Sequence, residues 1–308
     1  MKRGSNRNTA LDVGRLLWCY LIIQFHTGGV GFRVAYGALP AFIIVSIYFG
    51  LQSSSEGRWV SGVVRKSQRL LLPWVFWSLV YLASEYWRSG FKGGEVTVRN
   101  IFYGGEIHLW FLPFIFCAIV LGDLVAIWSM RFGLRGISVG AAIGMCVAIM
   151  VYMVLDRLPA VVPVSQFKFG TVSAAMGWCF WSFRSLAHPR GIAASCCSSL
   201  VVLVVVHLLG EPLREIYPQM IGAAMVCIVL VLHSGPLCLS RIGRKYTLFI
   251  YLVHVLVWQL LYKFVGLDGS AAAILVFSVS LILAYIVDFF LSSYQDSLPS
   301  RLRILIGL

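Results

Sequence analysis

The chain has 308 residues, of which 59% are hydrophobic and 12% are charged, and its formal net charge at pH 7 is +13. Soluble domains carry about 45–50% apolar and about 25% charged residues, so this composition excludes a soluble fold. An aromatic content of 14% with so few charges also excludes intrinsic disorder. The sequence therefore indicates an integral membrane protein, and its positive charge is interpreted as a topology signal, not as a sign of nucleic-acid binding.

Ten apolar windows along the chain are each long enough to form a transmembrane helix. About 20 helical residues, at 1.5 Å each, cross the hydrocarbon core of a bilayer. The predicted spans are residues 11–30, 34–51, 70–87, 109–128, 136–155, 169–186, 192–209, 220–238, 247–265 and 270–291. None of them alternates at period two, as barrel strands do. We therefore predict an all-α, polytopic membrane protein with about ten transmembrane helices in a single domain, residues 1–308.

The basic residues are concentrated on one side of the predicted spans. That side includes both termini and carries 16 of the 25 Lys and Arg residues, whereas the other side carries 8 and Arg15 lies inside the first span. Cytoplasmic loops are enriched in Lys and Arg, so both termini are predicted to be cytoplasmic and the protein to lie in the inner membrane. The basic side would also contact anionic lipid or hold an anionic cytoplasmic ligand.

The first span contains three ionisable side chains, Asp12, Arg15 and His26. An intramembrane charge costs about 2.5–3.5 kcal/mol on insertion scales, so each one needs a physical reason. Arg15 and His26 are 11 residues apart, which places them on one helix face about 16 Å apart, and Asp12 can pair with Arg15. Two interpretations remain open: a functional face, or an interfacial ion pair with a structural histidine.

The segment LDVGRLLWCYLIIQFH, residues 11–26, resembles the opening of the acyltransferase 3 family. That family is marked by L-D-x-x-R and by an arginine followed by ten residues and a histidine. Three further segments resemble its motifs in the expected order: RKSQRLLLPW (65–74), HLWFLP (108–113) and YTLFIYLVH (246–254). One departure is Lys66, which with Arg69 stands where the family usually has two arginines. Many members also carry a C-terminal hydrolase-like domain, and we expect the transmembrane module alone.

The resemblance implies a membrane O-acyltransferase. Such an enzyme moves an acetyl or short acyl group from acetyl-coenzyme A to a hydroxyl of a cell-surface sugar, as in O-antigen or exopolysaccharide O-acetylation. Acetyl-coenzyme A is then a substrate, and no permanently bound cofactor is expected. His26 is the candidate general base, because imidazole titrates near neutral pH. Direct transfer and a double displacement through an acylated His26 both remain open.

Three basic residues are candidates for binding the phosphates of coenzyme A: Arg15, Lys66 and Arg69. Arginine is suited to bidentate contacts with phosphate. For Lys66 and Arg69, contact with lipid phosphate is the alternative. Two intramembrane acids, Asp123 and Asp288, are interpreted as partners of Arg131 or of loop cations.

Six residues are candidates for binding the acceptor or supporting His26: Asp12, Glu106, His108, Trp110, Tyr251 and His254. For His108 and Trp110 the alternative is an interfacial cap with the tryptophan in the aromatic belt of the membrane. His254 is expected about 10 Å from the cytoplasmic end of its helix, near Tyr251, in either a structural hydrogen bond or a donor contact. The sequence shows no metal-binding motif.

Two other functions compete with acyl transfer. A transporter or flippase for a glycan or lipid-linked sugar would also suit ten helices with buried charges. However, the sequence shows no internal symmetry and no matching pair of interrupted spans. A non-catalytic membrane subunit would leave the alignment of Arg15 and His26 unexplained. Binding or hydrolysis of acetyl-coenzyme A by the purified protein distinguishes an acyltransferase from both.

Overall fold

The computed structural model describes residues 8–52, 59–88, 106–131, 137–159, 161, 163–183, 186, 188–232, 234–293 and 300–308. All regular secondary structure in these ranges is helical, which confirms the all-α prediction. The helices are α1 (Thr9–His26), α2 (Phe32–Ala35), α3 (Ala38–Gln52), α4 (Trp59–Arg88), α5 (Phe111–Arg131), α6 (Ile137–Asp156), α7 (Val164–Ser182), α8 (His188–Leu208), α9 (Leu213–Leu232), α10 (Leu237–Val265), α11 (Gly269–Ser293) and α12 (Ser300–Ile306). A 3-10 turn, Ile107–Trp110, leads into α5.

Six segments in the described part of the chain are long and apolar enough to cross a membrane. They are Phe32–Leu51, His108–Val125, Arg190–Leu208, Leu213–Leu232, Leu237–Val265 and Gly269–Ser293. These segments indicate an integral membrane protein. α1 and α4 are not among them, and both carry charged residues within the helix. A long helix overlaps each of the ten predicted windows, but the count of ten spans and the cytoplasmic termini stay predictions.

Two helices begin about ten residues before their predicted windows. α4 begins at Trp59 and α10 at Leu237, because basic residues lower the hydropathy of these stretches without interrupting the helix. His254 consequently lies 17 residues into α10, about 25 Å from its first residue. The expected position, about 10 Å from the helix end, is therefore wrong.

α1 and α10 run parallel and pack closely. A Cβ atom on Gly243 of α10 would overlap the main-chain carbonyl of Asp12 on α1, so only glycine allows this approach. Ser240 donates a hydrogen bond to the Asp12 carboxylate over 2.9 Å, and the Cys19 thiol lies 3.4 Å from the Thr247 carbonyl. α3 and α11 also pack on α1, and α3 contacts α5, α7 and α9 in turn. This arrangement fixes which side chains of α1 and α10 meet.

Ion pairs mark the two ends of the bundle. Where α1 and α10 begin, Asp288 of α11 bonds Lys245 at 2.5 Å and lies 3.9 Å from Arg303 of α12, which agrees with its expected pairing with a loop cation. At the end where α1 terminates, Lys168 of α7 contacts both Asp156 and Glu211. We call these the basic end and the acidic end of the bundle.

The two ends of the bundle should lie on opposite sides of the membrane. In a variant whose native cysteines are replaced by alanine, Glu215→Cys should react with an impermeant maleimide added to intact cells. Arg244→Cys should react only after the cells are permeabilised, because the excess of Lys and Arg keeps its end in the cytoplasm. Both positions are exposed, so a failure to react reports sidedness. The reverse labelling pattern would contradict the topology.

Candidate functional site

Three imidazole rings meet near the acidic end of the bundle. The ring centroid of His254 lies 5.3 Å from that of His26 and 5.3 Å from that of His108. The three residues come from the end of α1, the middle of α10 and the 3-10 turn before α5. His108 and His254 are buried, whereas His26 is only half-buried. Of the predicted site residues, the structure thus brings together all three histidines.

The hydrogen bonding of His254 determines which tautomer its neutral ring adopts. Its Nδ1 lies 2.6 Å from the main-chain carbonyl oxygen of Tyr251, one turn earlier in α10. Because a carbonyl oxygen only accepts hydrogen bonds, Nδ1 carries the proton, and Nε2 of the neutral ring is left as an acceptor. No protein group in the described ranges hydrogen-bonds this Nε2 or either ring nitrogen of His108. A buried unpaired polar group costs about 1–3 kcal/mol, so the cluster favours a ligand that supplies hydrogen bonds.

Tyr81 of α4 supports the helix around His254. Its hydroxyl donates to the Leu252 carbonyl at 2.8 Å and accepts from the Leu256 amide at 3.2 Å. In an uninterrupted α-helix the Leu256 amide would donate directly to the Leu252 carbonyl. The Tyr81 hydroxyl instead bridges these two main-chain groups, which lie on either side of His254. No feature of the sequence indicated this contact, because a tyrosine within a span ordinarily serves only in packing.

A hydrogen-bonded turn fixes the end of α1 and hence His26. Gln24 donates to the Val30 carbonyl at 2.8 Å, and the Ser270 hydroxyl accepts from both Gln24 and the Val30 amide. The Gly269 amide, where α11 begins, donates to the Thr27 carbonyl at 2.8 Å. These bonds hold the last turn of α1 against α11. His26 is therefore presented from a rigid helix end.

Hydrogen bonds from α10 hold the turn that carries His108. The Tyr251 hydroxyl donates to the His108 carbonyl at 2.6 Å, and Gln259 donates to the Glu106 carboxylate at 2.5 Å. Trp110 is 4% exposed and its ring packs against Phe114, so it does not face lipid as an aromatic-belt residue would. Glu106 and Tyr251 thus hold the turn that carries His108, and their part in binding the acceptor or supporting His26 stays a prediction.

The basic candidates lie further toward the basic end. The Arg15 guanidinium stacks over the Phe49 ring at 5.2 Å and lies 4.0 Å from the Asp12 carboxylate. Lys66 of α4 forms a 2.6 Å ion pair with Asp123 of α5, whose side chain is 1% exposed. Lys66 belongs to the predicted loop before the third span, so Asp123 pairs with a loop cation, which is one of its two expected partners.

Lys66 and Arg69 differ in what they can offer a ligand. Lys66 neutralises a buried carboxylate, so its charge is already used within the protein. Arg69 is exposed, and within the described residues it makes no hydrogen bond or ion pair. Of this pair, Arg69 is the cation available to a phosphate. In the described ranges, no group of three or more His, Cys, Asp or Glu side chains is arranged to hold a metal ion.

Comparison with known proteins identifies the family. The family model for an acyltransferase domain, that of the acyltransferase 3 family, matches residues 8–289. The chain belongs to the acyltransferase 3 family. The match runs from the N-cap of α1 almost to the end of α11 and so includes the histidine cluster and the basic candidates. No curated protein and no solved structure matches the chain. Together with its apolar helices, the family indicates a membrane acyltransferase.

Removing one member of the Lys66–Asp123 pair should destabilise the fold. Lys66→Met leaves the Asp123 carboxylate buried without this cation, and we expect the free energy of unfolding to fall by about 3–5 kcal/mol. Lys66→Met combined with Asp123→Leu should recover most of the loss. Arg69→Met, three residues along the same helix and exposed, should change stability by about 0.5 kcal/mol or less. Thermal unfolding of the purified protein measures all three, and a Lys66→Met protein as stable as the parent would contradict the structural role.

Proposed function

We propose that this acyltransferase moves an acetyl or short acyl group from acetyl-coenzyme A to a hydroxyl of a cell-surface sugar or polysaccharide. The observation that carries the proposal is the cluster of His26, His108 and His254. A hydroxyl attacking a thioester needs a base that titrates near neutral pH, and histidine is the side chain suited to this. His26 is the member of the cluster that is only half-buried, so it is the one an acceptor can reach.

The proposed reaction needs one proton transfer in each direction. The acceptor oxygen bonds to the thioester carbonyl carbon while His26 takes the hydroxyl proton. The carbon–sulfur bond then breaks, the acyl group stays on the acceptor, and the sulfur leaves and takes the proton back from His26. His254 lies beside His26 with an Nε2 that can accept a hydrogen bond, which supports the charged imidazolium that forms between the two transfers.

The donor is proposed to bind from the basic end. Coenzyme A is a polyanion, and Arg15 and Arg69 are the cations that we assign to its phosphates. Lys66 is proposed to act as a structural cation beside this site, because it is paired with Asp123. Arg15 and His26 lie 11 residues apart on α1, about 16 Å along the axis, so an extended pantetheine arm would run along this helix. We place the enzyme in the inner membrane with both termini cytoplasmic.

His26 should be essential for transfer but not for donor binding. His26→Ala and His26→Gln should both lose about 10²–10⁴-fold in acyl transfer, because neither side chain accepts a proton at neutral pH. Coenzyme A affinity, measured on the same samples, should stay that of the parent. A structural histidine predicts a different result, in which glutamine restores activity. Transfer per folded molecule within a few-fold of the parent in His26→Gln would remove His26 from the mechanism.

The donor site can be tested by coenzyme A binding alone. Arg15→Ala and Arg69→Ala should each lose about 1.5–3 kcal/mol of charge-assisted contact, which is roughly 10- to 150-fold in affinity. The matched control is Arg244→Ala, an exposed arginine at the same end of the bundle, which should bind like the parent. Isothermal titration with coenzyme A in detergent measures the three variants. Parent-like binding by both test variants would mean that these arginines contact lipid instead.

A further inference from the structure

A cavity of about 370 Å³ opens at the acidic end, between α6, α7, α8 and α9. This volume lies at the lower end of the range of small-molecule sites, about 300–1,000 Å³. None of the residues that line it belongs to the histidine cluster or to the basic candidates. It is therefore a second polar site, on the same end of the bundle as His26.

The polar groups of the cavity are held in place by one another. Lys168 bonds Asp156 at 2.6 Å and also contacts Glu211, and the Tyr152 hydroxyl donates to Glu211 at 2.5 Å. Gln219 is 2% exposed, donates to the Phe169 carbonyl at 3.0 Å and accepts from a neighbouring serine. Side chains fixed in this way lose little conformational freedom when a ligand binds. The cavity is thus organised before a ligand arrives.

The charges of the cavity favour a neutral ligand. Its lining contains three carboxylates and two cations: Asp156, Glu211, Glu215, Lys168 and Arg214. This balance is negative and disfavours the phosphates of coenzyme A or of lipid. Carboxylates accept strong hydrogen bonds from hydroxyl groups, and the half-buried ring of Phe169 offers an apolar surface. A sugar has both features that this lining would bind: many hydroxyl groups that donate hydrogen bonds, and an apolar ring face.

A row of aromatic rings connects the cavity with the histidine cluster. Phe169 of the cavity wall stacks on Tyr36 at 5.1 Å, Tyr36 stacks on Phe25 at 4.4 Å, and the Phe25 ring lies 5.5 Å from that of His26. All three aromatic residues are half-buried, and Tyr36 is stacked on both of its faces. The row therefore forms a continuous apolar wall between the two sites, and a chain of sugars can lie against its exposed edge.

We propose that this cavity binds a neutral sugar residue of the acceptor, with the next residue of the glycan lying along the aromatic row toward His26. The inference rests on the proposed acyl transfer, since it assigns the acceptor of that reaction a binding site. It separates the two substrates by charge: the polyanionic donor at the basic end and the neutral acceptor at the acidic end.

The test measures how far a bound sugar protects a cysteine in the cavity from chemical labelling, a readout that does not depend on catalysis. In the variant without native cysteines, Glu215→Cys places a thiol in the cavity lining, and its rate of reaction with a maleimide is followed in detergent. Methyl glycosides of glucose, galactose, mannose, rhamnose and N-acetylglucosamine are the probes. A glycoside that fits should slow the reaction about tenfold at ten times its Kd. The matched control is Asp268→Cys, exposed at the same end but outside the cavity, whose labelling should not change.

The outcomes separate this inference from the proposed function. Protection of Glu215→Cys, weakened about tenfold in affinity by Glu211→Gln, supports the sugar site even if no acyl transfer is detected. Acyl transfer by the parent enzyme without protection by any of the glycosides overturns the site and leaves the proposed function standing. Protection by inorganic phosphate alone also overturns it, because the cavity would then be an anion site. Equal slowing of Asp268→Cys would show a non-specific effect and count against the site.

Discussion

The close contact of α1 with α10 is the constraint on which the rest of the site depends. Gly243 lets the two helices approach until its Cα faces the Asp12 carbonyl, and the parallel direction of the helices then sets every later contact. Asp12, Cys19 and His26 follow one another at intervals of two helical turns and so lie on the same face of α1. Asp12 and Cys19 contact the first part of α10, and His26 then meets His254 two turns further along. A side chain at 243 would push the helices apart and separate the two imidazoles. A glycine about 16 Å from the cluster thus determines whether the cluster exists.

The charges of the two ends divide the chemistry between them. The basic end holds Arg15 and Arg69, which suit a polyanionic donor, and the acidic end holds a cavity whose carboxylates suit a neutral polyol. The ion pairs at each end are internal to the protein: Lys66 with Asp123 and Lys168 with Asp156. These pairs neutralise charge within the protein. In the proposed reaction the donor and the acceptor approach His26 from opposite ends of the bundle, and the donor's pantetheine arm runs along α1.

The sequence predicted the helical class, the family and each histidine as a separate candidate. It could not predict that His26, His108 and His254 meet, because hydropathy places helices along the chain and says nothing about which helices pack together. It also could not distinguish the roles of Lys66 and Arg69: both belong to one basic motif, and only the position of Asp123 on a neighbouring helix decides which cation is used internally. The cavity at the acidic end was missed for the same reason, since four helices contribute to it and none carries a motif.

The hydrogen bond between His254 and the Tyr251 carbonyl connects this packing with reactivity. A main-chain acceptor cannot rotate or change its charge, so it fixes the proton on Nδ1 and leaves Nε2 as a hydrogen-bond acceptor before any substrate binds. Tyr81 keeps α10 in the shape that makes this bond possible, by bridging Leu252 and Leu256. A catalytic group oriented by the backbone needs little reorganisation when charge develops, which is the usual source of electrostatic stabilisation in enzymes. In the proposed reaction, His26 at the end of its helix exchanges protons with the substrates, and His254 within its helix stabilises the charge that results.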